Sequence, residues 1–113
     1  LPILATCRGF QLIMNIYKQK IIPIKNHVKK NHKLILNQEF FNIKDKKLNV
    51  NSFHNYAVKT LPNNFKLIAK HSDNTIEAAV NTKISLLCLM FHPERPNISQ
   101  KQIDQIVISH LKI

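Results

Sequence analysis

A chain of 113 residues with 44% apolar side chains can bury one modest core, so residues 1–113 are read as a single domain at most. The formal charge of +11 raises nucleic acid as a partner, but the lysines are spread along the chain, only Arg8 and Arg95 are arginines, and no basic strip is interleaved with aromatics, which points away from that class. Two cysteines make no disulfide framework, the apolar start lacks a basic leader and cleavage site, and no run nears the roughly 18 apolar residues of a membrane span; a cytoplasmic protein without membrane contact is expected.

The chain opens with Leu1 inside an apolar run, as the interior of a longer domain would. Residues 1–6 read as a buried strand with Pro2 at its start, where a missing N–H is tolerated. Residues 9–17 read as a helix with Leu12, Ile13 and Ile16 on its inner face. Between them lies Ala5-Thr6-Cys7-Arg8-Gly9, a strand, sharp turn and helix in the pattern of a nucleophile elbow. A helix N-terminus aimed at Cys7 should ease loss of the thiol proton, and the thiolate is the nucleophile. Gly9 is the chain's single glycine, where average usage of roughly 7% would give about eight, so its place suggests close helix–strand packing.

Further on, residues 20–25 read as a short strand that Pro23 confines to an edge. Residues 26–33 read as a basic loop, 34–36 as a strand, 37–47 as irregular and 48–52 as a strand running into Phe53-His54-Asn55. Residues 56–61 suggest a turn of helix. Residues 65–71 and 75–80 alternate apolar and polar around the turn residues Ser72-Asp73-Asn74, which predicts an antiparallel hairpin. Residues 86–91 are continuously apolar, as a strand covered on both faces is, and Cys88 within them reads as a buried structural thiol. Ser99 is expected to cap a closing helix that turns Ile103, Ile106, Val107 and Leu111 inward.

His92-Pro93-Glu94 follows that apolar strand at its carboxyl end, where ligands of open α/β sheets bind. Cys7 ends another such strand, so a shared rim would supply a nucleophile, a base and an acceptor that orients the base. A strand end merely closed by a Pro-flanked His and Glu is the plainer alternative for that motif taken alone. His27 and His32 are spaced unlike a metal pair, and His71 and His110 read as surface residues.

Cys7-Arg8-Gly9-Phe10-Gln11, Val50-Asn51-Ser52-Phe53-His54, Asp73-Asn74-Thr75-Ile76-Glu77-Ala78 and Phe91-His92-Pro93-Glu94-Arg95 occur in an order and spacing that resembles class I glutamine amidotransferase-like proteins. Within them the chain is similar to the γ-glutamyl-γ-aminobutyrate hydrolase-like group, and its Asn51–Tyr56 string to the branch that hydrolyses a γ-glutamyl-CDP-amidate in capsule synthesis. The resemblance implies a flavodoxin-like three-layer α/β fold with a mostly parallel sheet, of which this chain would be the C-terminal part. It implies a Cys7–His92–Glu94 triad that hydrolyses a γ-glutamyl amide through a thioester, with no cofactor and no metal. Arg8 would give one oxyanion N–H, the other lying in a glycine-rich segment before Leu1; Gln11, Ser52, Phe53 and His54 would hold the glutamyl end. Ala5 and Lys18-Gln19-Lys20 depart from the family's glycines, which bears on activity.

The partner so implied is a small γ-glutamyl substrate. A phosphate-bearing leaving group would suit the cationic stretch with Lys25, His27, Lys29, Lys30, His32 and Lys33, if that stretch reaches the catalytic rim. Two other readings stay open: the glutaminase part of a biosynthetic amidotransferase with a synthase partner, and an inactive truncated relic or basic binding module.

Overall fold

The computed structural model describes residues 1–24, 28–36 and 47–111, with the backbone alone at 28–30 and 32. The chain runs β1 (Ile3–Thr6), α1 (Arg8–Ile16), β2 (Ile21–Pro23), β3 (Val28–Leu36), β4 (Lys47–Phe53), β5 (Tyr56–Val58), β6 (Lys66–His71), β7 (Ile76–Asn81), β8 (Leu86–Leu89) and α2 (Gln100–Leu111). The sheet order is β1-β8-β7-β6-β3-β4, with β5 bridging β2 and β7 beside this path.

Alternation along β8 shows the layering. Leu87 and Leu89 join a core with Ile103 and Ile106 of α2, while Leu86 and Cys88 join one with Phe10 and Met14 of α1. Successive side chains of a strand point to opposite faces, so the helices cover opposite faces and the fold is the expected three-layer α/β sandwich. Both apolar strands end at one rim because β1 lies parallel to β8, with Ile3 opposite Leu86 and Thr6 opposite Leu89.

That pairing is the one parallel ladder among the described residues; the others are antiparallel. The mostly parallel sheet expected therefore does not describe this part of the domain. Tight turns such as Ser72-Asp73-Asn74 join neighbours, and a tight turn can only reverse a strand. At that turn Asp73 accepts hydrogen bonds from the Thr75 N–H (3.0 Å) and hydroxyl (2.6 Å), and Asn74 takes φ 68°.

Several local expectations are corrected. The helix α1 buries Phe10 and Met14 and leaves Leu12 and Ile16 about 60% exposed (59% and 63%), so its inner face is turned from the expected stripe. Residues 56–58 form β5, not helix. The basic stretch is not a loop from 28 onward: Val28–Leu36 pairs with β4 and β6, and Lys25, Asn26 and His27 lie outside the described residues, as do 37–46 of the stretch read as irregular. β7 is buried throughout rather than on alternate faces, Glu77 included.

Ser99 precedes α2 and its carbonyl accepts the Ile103 N–H at 3.1 Å, but its hydroxyl does not cap the helix. The hydroxyl accepts the Asn49 N–H at 2.8 Å, Ser99 N–H donates to Asn49 O at 3.0 Å, and the Asn97 side chain accepts the Asn51 N–H at 2.6 Å. The outer edge of β4 is thereby occupied by the turn before α2. At the end of α1, Lys18 N–H donates to Asn15 O (2.9 Å) and Gln19 N–H to Met14 O (2.8 Å), a Schellman closure with Lys18 at φ 61° where glycine is usual.

Candidate active site

The turn from β1 into α1 holds Cys7 at φ 50°, ψ −105°, a conformation that costs a non-glycine residue about 1–3 kcal/mol and that the surroundings must impose. They do so through the Cys7 N–H, which donates to Leu89 O of β8 at 2.7 Å, and the Cys7 carbonyl, which accepts the Gln11 N–H at 3.1 Å. Gly9 needs neither freedom: its φ is negative, and a Cβ there would meet the Ala5 Cβ at 3.5 Å, an ordinary contact. The close packing expected of Gly9 is absent.

Beside Cys7 is a cavity of about 180 Å³ lined by Cys7, Arg8, Gln11, Phe53, His54, Asn55 and Tyr56. It thus joins the start of α1 to the β4–β5 connection. Of the positions expected to hold a glutamyl group, Arg8, Gln11, Phe53 and His54 meet here; Ser52 is buried within β4 and does not line the cavity. Gln11 Nε2 rests 3.7 Å from Met90 Sδ.

Burial pushes the Cys7 thiol above its ordinary value. The Arg8 N–H and the Arg95 and Arg8 guanidiniums pull it down and Glu77 pushes it up, and burial prevails. The expected ease of deprotonation at a helix N-terminus is thus overturned by desolvation: Cys7 rests as a thiol. Cys88, wholly enclosed in β8, is pushed up to about 12 by burial, in keeping with a structural thiol.

His92 lies three residues beyond Leu89, at the rim where Cys7 sits. Its Nδ1 is 2.9 Å from Glu94 Oε2. With Glu94 ionised, Nδ1 carries the hydrogen and Nε2 presents its lone pair. Partial burial raises the Glu94 carboxyl, but its own backbone N–H, the His92 ring and Arg95 outweigh it, so the group stays below the usual range. Phe53 meets the His92 ring edge-on, centroids 6.0 Å apart, and carries the Arg95 guanidinium 4.6 Å from its own centroid. The Cys7 cavity and the His92–Glu94 pair therefore share Phe53 as a wall.

Asn51 belongs to the motif but not to the expected site residues. Its side chain grips the His92 backbone from both sides, accepting the His92 N–H at 2.8 Å and donating to His92 O at 2.8 Å and Pro96 O at 3.2 Å. Asn97 donates to the same His92 carbonyl at 3.1 Å. The sequence carries no sign of this: β4 also holds Lys47, Asn49 and Ser52, so Asn51 does not stand out as polar, and its burial shows only in the structure. No group of three or more metal-binding side chains occurs among the described residues.

Comparison with known proteins agrees with this architecture. The profile of the family described as glutamine amidotransferase class-I matches residues 1–108. The chain is 35% identical over 97 residues to the γ-glutamyl-CDP-amidate hydrolase of Campylobacter jejuni, covering 86% of this chain and 44% of that protein. It is 34% identical over 95 residues to anthranilate synthase component 2 of Helicobacter pylori, covering 82% of this chain and 48% of that one. The chain thus spans about half the length of the curated relatives it matches. Among solved structures, a Thermoplasma acidophilum protein assigned to GMP synthase superposes with a TM-score of 0.82 at 22% identity, over 98% of this chain and 57% of the other, a likeness of fold. With a family profile covering nearly its whole length, the chain belongs to the class-I glutamine amidotransferase family.

Proposed function

We propose that this chain carries the nucleophile, base and orienting carboxylate of an enzyme that hydrolyses a γ-glutamyl amide bond. The observation that supports it most is the pairing of β1 with β8, which ends Cys7 and the His92–Glu94 pair at one rim beside a cavity. In this reading His92 Nε2 takes the Cys7 proton as the sulfur attacks the γ-carbonyl, since the buried thiol does not ionise by itself. The Arg8 N–H, at the first turn of α1, faces the tetrahedral oxyanion. The C–N bond breaks as His92 returns the proton to the leaving nitrogen, leaving a thioester on Cys7. Water, deprotonated by His92, then releases glutamate and frees the thiol. Glu94 keeps the imidazole in the tautomer that these steps require.

The leaving group in this reading bears phosphate, as in a γ-glutamyl phosphoramidate nucleotide; the similarity to the Campylobacter jejuni hydrolase supports it. A second reading, the glutaminase component of a biosynthetic amidotransferase with a synthase partner, draws on the similarity to anthranilate synthase component 2. The deciding experiment offers the purified protein a γ-glutamyl phosphoramidate nucleotide and glutamine. Glutamate release from the first, lost in Cys7→Ala, supports the hydrolase. Release from glutamine alone, stimulated by a synthase, supports the second reading, and hydrolysis of either that survives Cys7→Ala overturns the triad.

A further inference from the structure

The mechanism above leaves one pair of buried titratable groups unused. His54 and Glu77 have wholly buried side chains, and His54 Nε2 lies 3.1 Å from Glu77 Oε2. His54 Nδ1 lies 2.8 Å from Tyr56 O. A carbonyl oxygen can only accept, so Nδ1 carries a hydrogen. Nε2 faces Oε2 at ion-pair distance but outside hydrogen-bond geometry, and neither buried carboxylate oxygen of Glu77 has a hydrogen-bond partner. A buried pair of this kind contributes geometry rather than net stability, and losing one member is costly.

Its position gives that geometry a use. His54, Asn55 and Tyr56 form one wall of the Cys7 cavity. The strand that follows is thinly attached: β5 meets β7 through the single register pair Val58–Ile76 and otherwise pairs only with the three-residue β2. Glu77 is the next residue after Ile76, on a strand whose Glu77 carbonyl accepts the Met90 N–H at 2.7 Å from the β8 side. The chain from Tyr56 O through His54 to Glu77 thus ties the cavity wall to the strand that also anchors β8. Resting on the reading of Cys7 as nucleophile, we propose that Glu77 is a positioning residue, which through His54 fixes the 53–56 wall so that it holds the glutamyl portion of the substrate.

The test uses the full chain and two readouts, hydrogen exchange of the amides at 53–58 and the KM for the γ-glutamyl substrate. Glu77→Ala should speed exchange at 53–58 by at least about tenfold, because it strips the buried His54 ring of the carboxylate that faces it, with β8 amides unchanged. KM should rise about as much while kcat changes little. Glu77→Gln, whose amide can donate to Nε2, should restore most of both. The double variant His54→Phe, Glu77→Leu fills the space with apolar groups and should fold, yet keep the raised KM, because Tyr56 O remains untied. Parental exchange and KM in Glu77→Ala, or a parental KM in the double variant, would overturn the proposal. If the parent chain hydrolyses no γ-glutamyl substrate, the catalytic reading falls while exchange still judges the tether.

Discussion

Replacing Asn51 by alanine should be among the most damaging single changes available outside the apolar core. The side chain makes three hydrogen bonds, two of them with the backbone of His92. Their losses are unequal. His92 O keeps its bond from Asn97 Nδ2, and Pro96 is exposed so that water can replace Asn51 at its carbonyl. The His92 N–H loses its acceptor inside the fold. One orphaned donor costs about 1–3 kcal/mol and each ordinary bond about 1 kcal/mol, which together give about 3 kcal/mol. With a urea slope of about 1–2 kcal/mol per molar for a chain of this size, the midpoint should fall by about 2 M. Equilibrium urea unfolding followed by circular dichroism measures this. Below the transition the surviving folded protein should also lose kcat/KM, about a hundredfold for a base displaced by about 1 Å. A stability loss under about 1 kcal/mol together with parental turnover would show that the His92 backbone is held by other means.

Iodoacetamide should modify Cys7 well before Cys88, with a rate that climbs as the pH is raised because the buried Cys7 thiol sits above its ordinary value; equal rates at both thiols would refute the contrast in their surroundings. Cys88 ionises near 12 when folded against 9.0 unfolded, so above pH 9 the unfolded chain binds fewer protons and stability falls, by up to about 1.4 kcal/mol per pH unit, until pH 12. Cys88→Ala should remove that part of the alkaline loss in urea titrations at pH 8 and 11. Glu94→Gln should reduce turnover less than His92→Asn, since an amide can still orient the ring; the reverse order in steady-state kinetics would contradict the roles. Lys18→Gly should raise thermal stability by about 1 kcal/mol by relieving a lysine at φ 61°, and Gly9→Ala by about 0.5 kcal/mol, its new methyl meeting Ala5 at an ordinary distance.

The features legible in the sequence are those whose signal is local. The run of six apolar residues at 86–91 announces a strand enclosed on both faces, Ser72-Asp73-Asn74 announces its turn, and His92 and Glu94 are close enough in sequence to meet. Where pairing across the sheet decides, the local signal misleads. Val28–Leu36 holds three lysines, a histidine and no clean alternation, yet it is a strand because β4 and β6 complete its hydrogen bonds. The face of α1 is chosen by the space beside β8, which takes Phe10 and Met14 in preference to Leu12 and Ile16. Glu77 reads as an outward residue of an alternating strand and is buried because His54, over twenty positions earlier, supplies its counterpart. The ionisation of Cys7 escapes the sequence for a related reason: a helix N-terminus is visible there, whereas the depth of enclosure around the sulfur is not.

The β4 and β1 margins of the sheet differ in what they offer to other polypeptide. At β4 the amides of Asn49 and Asn51 are already spent on Ser99 and Asn97, so an incoming strand would first have to unseat the turn that leads into α2. At β1, which has β8 on one side, no strand pairs on the other among the described residues, and the Ile3 carbonyl lies 2.8 Å from His110 Nε2. A strand added at the β1 margin would therefore run beside the nucleophile that β1 leads into.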